Sequence, residues 1–230
     1  MSSGIKNVAF IPVRGGSKSI PLKNIKNFCG KPLVYWTAKA ANDCTKISEV
    51  YVATDSEKIA EAVESFSLEK VKVVGRSEET AKDTASTESA MLEFAEKFEF
   101  DNIILIQATS PLLETADLDG GLKKYFTGKY DSLLSVVRQK RFIWDEIDGV
   151  AVAQNYNPQE RPRRQEWDGF FVENGAFYVT SRENLLQSKC RISGRVGLYE
   201  MPEKTYFEID EPGDWLVMEQ LKNERDNFER

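Results

Sequence analysis

The chain has 230 residues, 41% hydrophobic and 30% charged, enough apolar content for an α/β core in a soluble protein. Lys and Arg number 31 against 37 Asp and Glu, a formal net charge of −6 that disfavours general DNA or RNA binding, and no run approaches the roughly 20 apolar residues of a membrane-spanning helix. Histidine is absent, which excludes Ser-His-Asp and Cys-His catalysis within one chain and leaves proton transfer to carboxylate, lysine, tyrosine, water or substrate.

Residues 8–13 (VAFIPV) form a short apolar run that reads as a first buried strand, not as the core of a signal peptide. A polar, basic, glycine-containing loop follows over 14–27. Pro32 sits at the first position of a helix that runs to about Asn42. Strands are expected at 50–53 (VYVA) and 71–74, with a helix over 56–66 between them. Ser86 or Thr87 caps a helix through Phe98, and 103–106 (IILI) reads as a strand covered on both faces. A helix over 116–125 and a strand at 132–137 (SLLSVV) complete an alternation that predicts a mostly parallel sheet with helices on both sides. In such sheets ligands bind at the carboxyl ends of the strands.

The rhythm breaks over 138–172, which carries Trp144, Asn155, Pro158, Pro162, Trp167 and the basic run Arg161, Arg163, Arg164. This stretch reads as an excursion from the sheet suited to lid or dimer contacts. Strands are expected again at 176–179 and 206–209, and Pro212 opens a terminal helix. The chain reads as one domain, 1–230, with an inserted arm. Cys29, Cys44 and Cys190 are widely spaced, match no zinc pattern, and read as reduced thiols of a cytoplasmic protein.

Two segments carry candidate chemistry. Arg14-Gly15-Gly16-Ser17-Lys18 follows the first strand directly; glycines let backbone N–H groups wrap an anion, and Arg14, Lys18 and Lys23 offset triphosphate charge. A Walker A loop fails here, since Ser17 precedes Lys18 and Pro12 fills the first glycine slot. By composition alone, a solvated surface loop fits equally well. Near the C-terminus, Glu208 and Asp210 flank Ile209 at the expected end of a strand, and alternation puts both carboxylates on one side. Such a pair suits Mg²⁺ with a bound nucleotide; it suits helix capping by Asp210, with Glu211 and Asp214 in the first turn, as well.

IPVRGGSKSIPLKN (11–24) resembles the signature R-G-G-S-K-G-[IVL]-P-x-K-N of the acylneuraminate cytidylyltransferases, the CMP-sialic acid synthetases. ATD (53–55), DTAS (83–86), QATSPL (107–112), ENGAFY (173–178) and EIDEPGDW (208–215) follow in the family's order and span nearly the whole chain. The resemblance implies an α/β, Rossmann-like three-layer sandwich of the nucleotide-diphospho-sugar transferase type, with the 138–172 arm serving a homodimer. It implies transfer of CMP from CTP to an acidic nine-carbon 2-keto sugar of the N-acetylneuraminate type, with Mg²⁺ as cofactor and Mn²⁺ as its substitute, and no nucleic-acid or membrane partner. Relatives act on deaminated neuraminate, legionaminate, pseudaminate or eight-carbon ulosonates, and shared loops do not separate these sugars.

Residue by residue, the resemblance gives Arg14 and Lys18 the triphosphate and the leaving pyrophosphate, within a cradle of Gly15, Gly16 and Ser17. Lys23 joins them on the phosphates, and Asn24 contacts cytosine or ribose. Asp83, Thr84 and Ser86 line the cytidine pocket. Gln107, Asn174, Gly175, Ala176 and Tyr178 form the sugar pocket, with Lys140, Arg164 and Gln165 near the sugar carboxylate or a neighbouring chain's site. Glu208 and Asp210 hold the metal, and Asp210 or a metal-bound water accepts the proton. Ser19 stands in place of a usual glycine, Leu113 in place of a frequent arginine, and Glu208 in place of a frequent aspartate. Retention of Arg14, Lys18, Lys23, Gln107 and Asp210 argues against a catalytically silent nucleotide-sugar-binding protein.

Overall fold

The computed structural model describes residues 4–228; residues 1–3 and 229–230 of the 1–230 span lie outside the described residues. The apolar run near the N-terminus forms β1 (Asn7–Pro12), with five of its six residues buried. Two short strands, β2 (Asn27–Phe28) and β3 (Lys31–Pro32), pair antiparallel just before α1 (Leu33–Asp43). Pro32 is the residue before the first turn of α1, one position earlier than expected. The chain then alternates through β4 (Glu49–Thr54), α2 (Glu57–Glu64), β5 (Val71–Gly75), the short α3 (Glu78–Ala81) and α4 (Thr87–Lys97). Ser86 caps α4, its hydroxyl accepting from the Ser89 N–H. β6 (Asn102–Ile106) is buried along its whole length, and α5 (Thr115–Tyr125) opens with a Glu114–Asp117 capping box.

After β7 (Ser132–Gln139) the chain leaves the sheet. Residues 138–139 stay in β7 and 170–172 in β10 (Phe170–Ser181), where Gln139 pairs with Phe170 and Val137 with Val172, so the excursion itself covers 140–169. It contains a hairpin of β8 (Trp144–Ile147) and β9 (Val150–Ala153), turned by Asp148 and Gly149 at φ 52° and 76°. Positive φ at both turn residues matches the twist of the paired strands, and Asp-Gly supplies it cheaply. α6 (Arg182–Ser188), β11 (Val196–Met201) and α7 (Pro212–Phe228) follow.

Seven strands form one sheet in the order β11-β7-β10-β6-β1-β4-β5. Every neighbouring pair is parallel except those made by β10, which runs antiparallel to both β6 and β7. One face packs Val34, Ala38, Ile59, Val63, Leu118 and Leu122 from α1, α2 and α5 against Ile11, Val52 and Ile104. The other packs Met91, Phe94 and Leu185 from α4 and α6 against Phe10, Leu105 and Tyr178. This is the three-layer α/β sandwich expected from the alternation. A third cluster joins Ile20, Phe28, Leu33, Leu112, Ile209, Trp215 and Met218. It fastens α7 and the segment before it onto the loop after β1. No helix among the described residues is long and apolar enough to cross a membrane.

One expected strand is absent. Residues 203–206 form a 3₁₀ turn and 207–211 are irregular, while Val196–Met201, unassigned from sequence, supplies the edge strand instead. The 206–209 stretch has no ladder partner: the Ile209 N–H goes to the Thr109 carbonyl at 3.0 Å, and the Ile209 carbonyl accepts from Lys23 Nζ at 2.6 Å. Ile209 is nevertheless fully buried and Asp210 exposed, so the in-out alternation survives without a strand.

Candidate active site

The basic loop is set by contacts made where β1 ends. Val13 N–H donates to the Ala53 carbonyl, and Gly15 N–H donates to Asp55 Oδ1 at 2.9 Å. A Cβ on Gly15 would lie 2.9 Å from Ser56 Cβ, so only glycine lets the loop pass this close to the end of β4. Asn24 is buried and donates to the Arg14 carbonyl at 3.3 Å, closing the loop on itself.

A cleft of about 330 Å³ opens at the carboxyl ends of β1 and β6, where the parallel-sheet rule places a ligand. Arg14, Ser17, Lys23 and Asn24 line it from the first loop, Asp83 and Ser86 from the approach to α4, and Gln107 from the end of β6; Asp210 faces it from the segment before α7. Eight residues singled out from sequence therefore meet in one place. Lys18 reaches the rim through Asp83, whose carboxylate bridges Lys18 Nζ at 2.5 Å and the Arg14 guanidinium. Lys18 and then Arg14 hold the Asp83 carboxyl below its ordinary range. Gly15, Gly16 and Thr84 do not line the cleft; Gly16 has open space on its side-chain face and Thr84 is exposed.

Lys23 is the hinge of the electrostatics. Its Nζ donates to the Ile209 carbonyl and lies 3.1 Å from Asp210 Oδ1, with a side chain only 13% exposed against 69% for Asp210. Glu208 lies deeper. Burial pushes its carboxyl up to about 7; Asp210 adds to the rise and Lys23 opposes it. Glu208 Oε1 is buried with no hydrogen-bond partner. Among the described residues no group of three or more His, Cys, Asp or Glu forms a metal cage. The pair still fits a divalent cation of the Mg²⁺ kind, which takes one or two carboxylates and fills its shell with phosphate oxygens and water. Glu208 does not line the cleft: the donor set is one exposed carboxylate on its wall, Asp210, and one unsatisfied buried carboxylate oxygen two residues earlier in the chain.

The sugar-pocket residues fall elsewhere. Asn174 is 1% exposed and donates to Thr205 Oγ1 at 3.0 Å and the Thr205 carbonyl at 3.3 Å. Ala176 is buried, and its carbonyl accepts from the Gln107 N–H at 3.2 Å. Tyr178 belongs to the core on the α4 face, donates to Glu173 Oε2 at 2.9 Å, and lies under the Arg191 guanidinium. Burial raises its pKa. None of these three, nor Gly175, lines the cleft, because the bulge in β10 between Glu173 and Tyr178 turns them into the protein. Lys140, Arg164 and Gln165 line a second cleft of about 550 Å³ with Arg138, Glu200 and Glu203, and Lys140 Nζ donates to the Arg164 carbonyl. They are not assembled with Gln107 within one chain.

Arg76 and Lys82 line the main cleft and escaped the sequence reading. Arg76 follows β5, donates to the Thr80 carbonyl, and keeps Nε buried without a partner; burial lowers its pKa. A Gly-Arg step at the end of VKVVGR repeats the chemistry of the Arg-Gly step after β1, and that was the available signal.

A family model described as cytidylyltransferase matches residues 8–228. N-acylneuraminate cytidylyltransferase B of Danio rerio is 40% identical over 225 residues, 95% of this chain and 52% of its own length. N-acylneuraminate cytidylyltransferase of Streptococcus agalactiae serotype V is 28% identical over 226 residues, with 92% and 52% covered. The chain spans about half the length of these curated relatives. Among solved structures, CMP:2-keto-3-deoxy-manno-octonic acid synthetase complexed with CTP superposes with a TM-score of 0.72 at 19% identity, over 96% of this chain and 99% of that one. 4-Diphosphocytidyl-2C-methyl-D-erythritol synthase from Anaerococcus prevotii gives 0.68 at 12%, over 95% and 97%. These two share the fold.

Proposed function

The chain belongs to the cytidylyltransferase family, and from that premise we propose that it transfers CMP from CTP to the anomeric hydroxyl of a nine-carbon 2-keto acid sugar of the N-acetylneuraminate type, releasing pyrophosphate. The observation that carries this reading is the meeting of Arg14, Lys23 and Asp210 on one cleft, with Lys23 tied to Asp210. The relatives' names support the acyl sugar, and the absence of histidine suits a reaction that depends on positioning and charge.

In this mechanism the sugar hydroxyl attacks the α-phosphorus of CTP in line, and the bond to the bridging oxygen breaks to release pyrophosphate. Arg14, Lys18 and Arg76 neutralise the charge that builds on the leaving group, the arginines through bidentate contacts. Lys23 meets the phosphates while keeping Asp210 at the cleft wall. The exposed Asp210 carboxylate accepts the hydroxyl proton. Ser86 and Asn24 hold the nucleoside, and Gln107 orients the sugar. Glu208 and Asp210 would hold Mg²⁺, with Mn²⁺ as its substitute, supplying Lewis-acid neutralisation of phosphate oxygens. The enzyme works in the cytoplasm as a homodimer, its 140–169 arm carrying Lys140, Arg164 and Gln165 toward the sugar site of a second copy.

Pyrophosphate release from CTP and Mg²⁺ tests the reading with N-acetylneuraminate, deaminated neuraminate, legionaminate, pseudaminate and the eight-carbon ulosonate as acceptors and ATP, GTP and UTP as controls. Release with CTP and N-acetylneuraminate is expected. Folded protein that binds CTP and releases nothing with any of these acids refutes it.

A further inference from the structure

The acid-bearing segment 207–211 has no regular structure, yet its two carboxylates are the groups whose placement matters most to the proposed reaction. Something other than a ladder must hold it. Its downstream end is fixed by Ile209, through the bond to the Thr109 carbonyl and burial among Phe28, Leu112 and Trp215. Its upstream end is fixed by Thr205. This side chain is 4% exposed, donates to the Pro202 carbonyl at 2.7 Å, and accepts from Asn174 Nδ2 at 3.0 Å. The Asn174 amide also donates to the Thr205 carbonyl, so a single buried side chain in the β10 bulge grips the turn at two atoms.

The next residue of the bulge completes the contact. Gly175 sits at φ 66°, and a Cβ built on it would lie 1.8 Å from Glu208 Oε1 and 2.6 Å from Glu208 Cδ. The Glu208 carboxylate occupies the space that any other residue at 175 would fill. Asn174 and Gly175 thus face one target from adjacent positions, one by hydrogen bonding and one by absence of a side chain. Neither lines the nucleotide cleft.

We infer that Asn174, Gly175 and Thr205 are positioning residues: together they form a seat in the β10 bulge that fixes the Glu208–Asp210 carboxylate pair against the end of the sheet. This deepens the proposed function and rests on it for its catalytic consequence; the seat itself rests only on geometry. It replaces the sugar-pocket role that the family resemblance suggested for Asn174 and Gly175. A one-ångström displacement of a reacting group is enough to cost about 10²-fold in rate, so the seat has kinetic leverage without touching substrate.

Two experiments test it. In the first, melting temperatures of Gly175→Ala, Glu208→Ala and the double variant close a cycle that needs no substrate. Gly175→Ala is expected to cost at least about 2 °C more in the wild-type background than in Glu208→Ala, because the clash disappears with the carboxylate and only the strain of the left-handed backbone remains. Additive shifts overturn the seat. In the second, Thr205→Val is expected to lower kcat about tenfold at a temperature well below its melt, with KM for CTP moved much less, and Thr205→Ser to restore it. A destabilised Thr205→Val with unchanged kcat reduces the contact to a structural one and overturns the positioning role. If the wild-type chain releases no pyrophosphate with any sugar, the reading of the reaction fails, and the melting cycle still decides the seat.

Discussion

Replacing Glu208 with Gln gives the most direct test of the electrostatics at the acid pair. The carboxyl has an ordinary value of 4.5 and is pushed to about 7 in the fold, first by burial and then by Asp210. A carboxyl whose folded pKa lies above its unfolded value binds more protons in the native state across that interval. Its contribution to stability is therefore complete below about pH 4.5 and is lost as pH rises through about 7. The interval sets an upper bound of about 3 kcal/mol, and solvent screening of a partly exposed group brings this to roughly 1–2 kcal/mol. For a chain of this size that is a relative fall in melting temperature of roughly 3–6 °C between pH 5 and pH 8. The glutamine keeps the shape and cannot ionise, so it removes this component and leaves the titrations of groups away from the acid pair in place. The assay is a melting series of both proteins, in chelator and without nucleotide, across that range. The wild-type curve is expected to drop relative to Glu208→Gln as pH rises. Curves that stay parallel would refute the assignment of a raised pKa to Glu208.

The other predictions concern the cleft and the arm. Lys18→Ala is expected to lower turnover by roughly 10- to 1000-fold, the scale of one preorganised electrostatic donor, in a steady-state pyrophosphate assay; near-normal turnover removes Lys18 from the mechanism. Asp83→Asn frees Arg14 and Lys18 from an internal anion, so calorimetry at low salt should find CTP bound roughly two- to tenfold more tightly, and weaker binding would show that the carboxylate serves the nucleotide directly. Arg76→Ala should raise KM for CTP at least about tenfold, the loss expected for a charge-assisted contact in a partly buried site, and an unchanged KM would exclude the contact. Ile147 and Val150 are 53% and 64% exposed on the hairpin; in the proposed homodimer they face the second copy, and Ile147→Glu is expected to give a folded monomer by light scattering and circular dichroism. A variant that remains dimeric removes the hairpin from the interface.

The core of the sheet was legible because its strands carry unbroken apolar runs: VAFIP and IILI have no polar face to hide, so burial on both sides was the only reading. β11 was not. VGLYEM sits at the sheet edge with Val196 and Glu200 exposed, and only Gly197 and Met201 of its six residues are buried. The mistaken strand at 206–209 fails for the opposite reason. Ile209 inward and Asp210 outward mimic strand alternation, but the pattern comes from one buried anchor and one lysine, not from a ladder. Most residues that line the main cleft were readable since they cluster in sequence around strand ends. The sugar-pocket assignment was not, because the bulge that turns Asn174 and Ala176 inward, and the contact of Gly175 with a side chain 33 positions away, leave no trace in local composition.

The charge arrangement suits the proposed binding of a polyanionic nucleotide by a chain of net −6. Arg14 and Lys18 share Asp83, Lys23 holds Asp210, and Lys82 pairs with Glu79, so four of the basic groups at the cleft are already matched by carboxylates. These pairs are largely exposed and individually weak, which suits them to exchange: a triphosphate offers several charges at once where each carboxylate offers one. Lys23 is the exception. Its half-buried amine also donates to a backbone carbonyl that cannot move without unseating Ile209 from the core. On CTP binding, Arg14 and Lys18 are thus expected to change partners while Lys23 keeps its place. A nucleotide difference spectrum of ¹⁵N-labelled side chains should show the Arg14 guanidinium shifting strongly and the Lys23 amine shifting little. The reverse pattern would mean that the acid segment, and not the glycine loop, is the part that yields.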